Sequence, residues 1–398
     1  MAPQHPKIII KRDRLKSLRA GHPWVFSRGI KSVSKNIING SICAICDEGN
    51  RFLATGYYNQ HSDIRLRILS WKDEDIHEAF FIRRIRALRE AKEELLPPDT
   101  DSYRLVYGES DLLPGLIIDK YKDVFVMQLH TLGMDRFREL IVESLKKTFQ
   151  PATIYERSDI SIRLKEGLKT QPKQLLFGQD RKEVLIREYG IRFLVNFQEG
   201  QKTGFFLDQR ENRKLLSRFC QKRRVLNCFA YTGGFSVYAA LSGAREVTSV
   251  EISKPALDQA KKNFEINGLH VKEYQFIEAD VFTRLQDLKK GEYDLIILDP
   301  PSFAKRKEQV KKAIKAYITI NSKALEKLPL QGILVSSSCT THVDEPTFIK
   351  ILHQASVNAR CMVKVLASTG QPLDHTYNLS FPEGRYLKFF ILQKLYEM

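Results

Sequence analysis

Five positions in the C-terminal half of this sequence carry side chains suited to chemistry on a nucleotide. The run Asn227-Cys228-Phe229-Ala230-Tyr231-Thr232-Gly233-Gly234-Phe235 ends an apolar segment. Its paired glycines allow a tight turn and a close backbone approach to a ligand. Eighteen residues after Gly233, Glu251 closes the next apolar segment, where a carboxylate would accept the hydroxyls of a ribose. Asp280 closes the third and would accept from an adenine amino group. Asp299-Pro300-Pro301 follows the fourth, and Cys339 the fifth. Each proline fixes its own φ and holds the residue before it extended, so Asp299 is held in place. Phe303 offers a surface on which a flat base can stack. Carbon 5 of a pyrimidine is a poor nucleophile until a thiolate adds to carbon 6, which is chemistry Cys339 could supply. For cytosine, an acid near ring nitrogen 3 eases that addition, and Asp299 is the candidate.

These residues need a scaffold that lines up strand ends. From Tyr189 onward the segments RRVLNCF, VTSVE, YQFIEAD, YDLIILD and ILVSSSC alternate with helical patterns, which predicts a parallel, doubly wound sheet of the Rossmann-like α/β class. Ligands of such sheets bind beyond the carboxyl ends of the strands. MVKVLAS and YLKFFILQ are expected to add an antiparallel edge. A nicotinamide cofactor is disfavoured because GxGxxG is missing; the ordered strand ends suit S-adenosylmethionine. Methylation of an exocyclic amine goes with an aromatic directly after Asp-Pro-Pro, and here Ser302 takes that place.

Upstream, residues 1–72 read as a β-rich module built from KIII, SICAIC, FLATGYY and IRLRILS. A helix is expected between Asp75 and Leu96, stopped by Pro97-Pro98. Residues 73–188 form this helix and an α+β middle domain, and residues 189–398 the catalytic domain.

The chain has 398 residues, 43% of them hydrophobic, which excludes disordered, collagen-like and disulfide-scaffold classes. Its 64 Lys and Arg against 47 Asp and Glu leave a net charge of +17, which favours polyanionic partners. The excess is dense over residues 1–35, where Arg19 and Arg28 interleave with His22, Trp24 and Phe26. A second basic run, Lys305, Arg306, Lys307, Lys311, Lys312 and Lys315, follows Asp-Pro-Pro and is suited to phosphates around a flipped base. No stretch approaches a membrane span or a signal-peptide core, and six thiols without framework spacing fit a reducing compartment, so a cytoplasmic protein is expected. Cys43-x-x-Cys46 has metal-ligand spacing but no second pair nearby, so no metal is expected.

The sequence resembles, from end to end, the bacterial 23S rRNA cytosine-C5 methyltransferases that join a PUA domain to a class I methyltransferase. The resemblance rests on GHPWVFSRGI, YRLVYGESDLLPGLIIDKY, YERSD…EGL, GQKTGFFLDQRENR, NCFAYTGGF, LDPPSF, SSSC and FPEGRYLKFF. It implies an N-terminal PUA domain, a middle EEHEE domain, S-adenosylmethionine as donor and ribosomal RNA as substrate. It also implies Cys339 as nucleophile and Asp299 in the motif that holds the target base. Cofactor positions would be Asn227, Phe229, Tyr231, Thr232, Gly233, Glu251 and Asp280, with Phe206, Asp208 and Arg210 from the flanking motif. Thr340 departs from the expected Ser while keeping a hydroxyl.

Four rival readings stay open. Guanine-N7 methyltransferases of rRNA share FxDxR- and DPP-like motifs and need no thiol, so Cys339 discriminates. Uracil-C5 enzymes usually carry Arg after Asp-Pro-Pro. A non-catalytic RNA-binding assembly factor would not need Glu251, Asp299 and Cys339 together. A small-molecule methyltransferase fits poorly with the basic excess and the accessory domains. Oligomeric state is open, a homodimer included.

Overall fold

The strand ends that matter are set by hydrogen-bond register, traced here in a computed structural model that describes residues 5–170, 173–304 and 306–398. The chain divides into two compact units. The first comprises Met1–Tyr189, Val195–Phe205 and Leu373–Gly384; the second comprises Gly190–Leu194, Phe206–Pro372 and Arg385–Met398. The first unit thus takes in both upstream modules.

The first unit opens with β1 (Lys7–Ile10), α1 (Leu15–Arg19), β2 (Trp24–Phe26), β3 (Ile30–Val33), β4 (Ile42–Cys46), β5 (Phe52–Tyr58) and β6 (Ile64–Ser70). They form a six-stranded sheet in the order β2-β6-β5-β4-β1-β3. Alternation in β1 sends Ile8 and Ile10 into a core shared with Val25, Ile45, Leu66 and Ile68. Strands β2 and β3 are short, and no apolar alternation marks them in the sequence. Trp24 is partly buried: its Nε1 donates to Glu109 (2.9 Å), and its ring lies 4.7 Å from that of Phe381.

Helix α2 (Glu78–Glu94) starts at His77, whose side chain accepts from the Ala79 amide. It lays Phe81 and Ile85 on a second core. Beneath it run β7 (Ser102–Tyr107), β8 (Leu116–Tyr121), β9 (Val124–Leu129), α3 (Leu132–Arg136), α4 (Arg138–Phe149), β10 (Thr153–Glu156) and β11 (Gln174–Gly178). The sheet order is β11-β10-β9-β8-β7. Three strands precede the helices, one more than an EEHEE pattern names.

A buried charge pair ties this unit together. Arg67 on β6 grips Glu166 bidentately (3.1 and 2.8 Å), and Asn59 donates to the same carboxylate (3.0 Å). All three side chains are buried.

After β12 (Glu183–Glu188) and β13 (Ile191–Asn196), the second unit adds α5 (Arg210–Leu216), β14 (Arg224–Cys228), α6 (Gly234–Leu241), β15 (Glu246–Glu251), α7 (Lys254–Glu265), β16 (Gln275–Glu278) and α8 (Val281–Asp287). Then follow β17 (Leu295–Leu298), α9 (Val310–Lys327), β18 (Ile333–Ser338), α10 (Glu345–Asn358), β19 (Cys361–Thr369) and β20 (Lys388–Glu397). The seven-stranded sheet runs β16-β15-β14-β17-β18-β20-β19. Strands β14 to β18 pair in parallel, and β20 inserts antiparallel between β18 and β19. The order reverses at β14, so β14 and β17 flank the crevice where such sheets bind ligands. No helix is long and apolar enough to cross a membrane among the described residues.

Removing Glu166 leaves the buried Arg67 guanidinium, among the described residues, with only the longer carboxylate contact to Glu109 (3.7 Å). Glu166→Ala should destabilise the first unit by about 3–5 kcal/mol, read as a lower urea midpoint in tryptophan fluorescence. Both tryptophans, Trp24 and Trp71, lie in that unit. An unchanged midpoint would show the pair to be dispensable.

Candidate active site

The first wall of the crevice is the loop between β14 and α6. Three of its residues take left-handed backbone: Phe229 (φ 58°), Tyr231 (φ 48°) and Gly233 (φ 78°). For Phe and Tyr this costs roughly 1–2 kcal/mol each. What holds them is Glu251 at the end of β15. Its Oε2 accepts from the Tyr231 amide (2.9 Å), and its Oε1 from the amides of Ile252 (3.0 Å) and Ser253 (3.1 Å). Glu251 therefore builds the loop, and a carboxylate with about four acceptor positions keeps capacity for a hydroxyl. Gly233 has a second reason to be glycine, since a Cβ there would come within 2.9 Å of the Ala260 Cβ.

Of the other expected cofactor positions, some contact this loop and others lie on separate elements. The ring of Phe206 meets that of Tyr231 edge-on at 5.2 Å, and Phe229 faces Phe303 at 6.4 Å. The Thr232 carbonyl accepts from Asn263 Nδ2 (2.9 Å). Asn227 is buried at the base of the loop: its Nδ2 donates to Ser236 Oγ (2.9 Å), while its Oδ1 is buried without a hydrogen-bond partner among the described residues. Asp280 is exposed and caps α8 by accepting from the Thr283 amide (3.0 Å). Arg210 is buried, and its Nε donates to Glu211 (3.2 Å). An orphaned amide oxygen, two carboxylates at strand ends and close backbone form a donor-accepting cleft. It fits a cationic nucleoside carrying ribose hydroxyls and amino groups.

The opposite wall is built by β17 and β18. Leu298 pairs with Ser336, so the residues that follow, Asp299 and Ser337, are neighbours, and the Ser337 hydroxyl donates to Asp299 Oδ1. Gln209 Nε2 donates to the same oxygen (2.8 Å). Gln209 is fixed in turn by Asn212 (2.6 Å), which accepts from Thr369 (2.7 Å). Desolvation is the main cause that pushes the Asp299 carboxyl up to about 6; the nearby Asp208 adds to it, and the two hydrogen bonds and Arg213 oppose it. A carboxyl in that range can both give and take a proton near neutrality. Asp208 is buried and accepts from the Tyr386 hydroxyl (2.6 Å).

Cys339 follows β18 directly. Of the six thiols, Cys43, Cys46, Cys220, Cys228 and Cys361 are buried, and Cys339 alone is partly exposed. Burial pushes the thiols of Cys220 and Cys228 up to about 12, which keeps them protonated and inert. Cys43 and Cys46 belong to β4, and the Cys43 thiol faces the Gly56 carbonyl. The turn carrying Cys339 is pinned by Thr340, whose hydroxyl donates to the Ala304 carbonyl (3.0 Å) in the segment after Asp-Pro-Pro; Ser302 donates to the same oxygen (3.0 Å). The buried phenol of Tyr317 on α9 faces both Cys339 and Asp299.

Sequence reasoning missed Gln209, Asn212 and Ser337. The first two stand three apart within GQKTGFFLDQRENR, the spacing of one helix face, and Ser337 stands two before the thiol. Of the second basic run, Arg306, Lys311, Lys312 and Lys315 are exposed; Lys305 lies outside the described residues.

A doubly wound sheet in this strand order, with a glycine-bearing loop after its first strand and β20 inserted antiparallel, has the architecture of a class I methyltransferase. The model of the S-adenosylmethionine-dependent methyltransferase family matches residues 169–351, and that of the PUA-like domain residues 8–71. Ribosomal RNA large subunit methyltransferase I of Aeromonas salmonicida is 40% identical over 97% of this chain and 98% of its own. That of Photobacterium profundum is 41% identical over 96% and 98%. A solved structure of a SAM-dependent methyltransferase from Streptococcus mutans covers 97% of this chain and 99% of its own at 26% identity and a TM-score of 0.82. Another methyltransferase, complexed with SAH, covers the same shares at 27% identity and a TM-score of 0.83. The chain belongs to the ribosomal RNA large subunit methyltransferase I family and is an S-adenosylmethionine-dependent methyltransferase.

The raised Asp299 carboxyl has a thermodynamic signature. Folding favours its protonated form, so its contribution to stability is present below about pH 4 and is lost as pH rises through about 6. Asn at this position does not titrate. The difference in melting temperature between Asp299→Asn and wild type should move in favour of the variant from pH 4 to pH 7. A difference independent of pH would return Asp299 to an ordinary carboxylate.

Proposed function

We propose that the protein methylates carbon 5 of a cytosine in large-subunit ribosomal RNA through a transient bond to Cys339. The observation that carries this reading is that a partly exposed thiol, Cys339, lies two residues beyond Ser337, the residue on β18 that hydrogen-bonds the desolvated Asp299 carboxyl after β17. Guanine nitrogen 7 is already nucleophilic and would use neither group. The names of the relatives support ribosomal RNA as the substrate.

When bound, S-adenosylmethionine supplies an electrophilic methyl group on a positively charged sulfur. Glu251, Asp280 and the Phe206–Tyr231 ring pair would hold it in the cleft, with the Asn227 amide oxygen at its base. The Cys339 thiolate adds to carbon 6 of the cytosine, and Asp299 gives its proton to ring nitrogen 3, which leaves carbon 5 electron-rich. Once carbon 5 carries the methyl group that the sulfonium would donate, its proton leaves to solvent, the carbon 6–sulfur bond breaks to release Cys339 as thiolate, and the nitrogen 3 proton returns to Asp299. Gln209 and Ser337 hold the carboxyl in place in both states.

The exposed lysines 311, 312 and 315 begin α9, where the helix dipole disfavours cations and favours anions. A phosphate there would satisfy both, which supports an RNA backbone near the base pocket. Lys11, Arg12 and Arg14 of the first module are also exposed.

Two experiments test the reading. Cys339→Ala should abolish 5-methylcytosine in rRNA while sparing cofactor affinity, and wild type should form a denaturant-resistant adduct with RNA carrying 5-fluorocytosine. Asp299→Asn should slow that adduct about 10²–10⁴-fold. Normal methylation by Cys339→Ala would overturn the covalent route in favour of guanine-N7 chemistry. Separately, RNA affinity should fall steeply with salt, and neutralising Lys11, Arg12 and Arg14 should lower the slope by about 0.7–0.9 for each phosphate they no longer neutralise. An unchanged slope would leave those three residues as a solvated face.

A further inference from the structure

Strand β20 carries two buried lysines that are held in different ways. Lys394 has a carboxylate within 2.7 Å, that of Glu397, and donates to the carbonyls of Leu325 and Leu328. Lys388 is 4% exposed and has no salt-bridge partner among the described residues. Its ammonium donates only to two carbonyls, those of Thr340 (2.5 Å) and Tyr386 (2.7 Å). Two of its three donors thus go to neutral groups, and a buried cation so placed is costly unless an anion answers it.

Register shows where that anion would be. Lys388 pairs directly with Ser338, and Cys339 and Thr340 are the next two residues. The Thr340 carbonyl that Lys388 grips therefore belongs to the turn that presents the thiol. Cys339 is the leading source of favourable charge on the ammonium, ahead of Asp344; Glu345 assists and Arg385 opposes. On the other side, the buried Tyr317 phenol feels the charges of both Cys339 and Asp299.

We propose that Lys388 is a positioning residue of the thiol site: its ammonium fixes the turn that carries Cys339 and holds the sulfur as thiolate. The bearing on methyl transfer rests on the reading of Cys339 as nucleophile, but the thiolate itself can be measured without RNA. Desolvation pulls the Lys388 ammonium down to about 8, so at neutral pH most of it is charged. The thiol and the ammonium then titrate as a coupled pair.

The test is the pH profile of iodoacetamide alkylation at Cys339 in the full-length protein, read by mass spectrometry of the peptide. Wild type should reach half-maximal rate below the ordinary thiol value of about 8.5. Lys388→Met should raise the midpoint by about one pH unit or more, which is roughly ten-fold slower alkylation at neutral pH. Lys388→Arg, which keeps the charge, should stay near wild type. A Lys without an electrostatic role would change melting temperature but leave the midpoint where it is. A wild-type midpoint at or above 8.5, or the same midpoint in folded Lys388→Met, would overturn the proposal; the wild-type measurement decides even if the Met variant does not fold. Failure of the covalent reading looks different, as normal methylation by Cys339→Ala with the alkylation shift intact.

Discussion

The parallel pairing of β17 with β18 is the constraint on which the relative placement of Asp299 and Cys339 depends. Leu298 opposite Ser336 brings Asp299 beside Ser337, and two residues further the chain turns at Cys339. Because side chains alternate along a strand, a slip of one residue would turn these groups to the opposite face. The slip is prevented by burial: Ile296, Leu298 and Leu334 pack in one core with α9 and α10, while Ile297 and Val335 are buried on the opposite face. Apolar packing beneath the crevice therefore fixes the relative position of an acid and a thiol.

Polar groups around that pair are arranged against their own solvation. A buried carboxyl costs free energy when ionised and a buried ammonium likewise, and the second unit contains both, Asp299 and Lys388. Each is drawn toward neutral pH from its own side, the acid upward and the base downward. Neither is neutralised by a salt bridge to the other. They lie instead on either side of Cys339, one hydrogen-bonded across β17 and β18, the other across β18 and β20. On the proposed mechanism, such surroundings would suit the addition of a thiolate to a ring carbon.

Much of this was legible from residue types alone. Alternation of strand and helix patterns predicts the parallel sheet, and strands such as Phe52–Tyr58 and Ile64–Ser70 match their apolar runs residue for residue. Strands β2 and β3 were not legible, since three and four residues are too few for a periodicity. The strand ends bearing Glu251, Asp299 and Cys339 were readable because chemistry restricts their types. Gln209, Asn212, Ser337 and Lys388 were not, because their roles come from hydrogen bonds between segments remote in sequence. Glu251 shows a further limit: its position follows from the pattern, but its three bonds to backbone amides do not.

One of those bonds, from the Tyr231 amide, helps hold the loop after β14 in place. Left-handed backbone at Phe229 and Tyr231 is unfavourable in isolation, and it would relax if nothing opposed it. Glu251 takes the Tyr231 amide, while the Ala230 amide donates to the Val250 carbonyl (3.0 Å) on the same neighbouring strand. Strand β15 therefore holds the loop that β14 emits, and the parallel register of these two strands sets its height. On the proposed reading, the carboxylate that would meet a ribose also supports the backbone on which the rest of the nucleoside would lie. Folding and ligand binding draw on one group, so the oxygen capacity that Glu251 commits to the loop limits what it has left for a ligand.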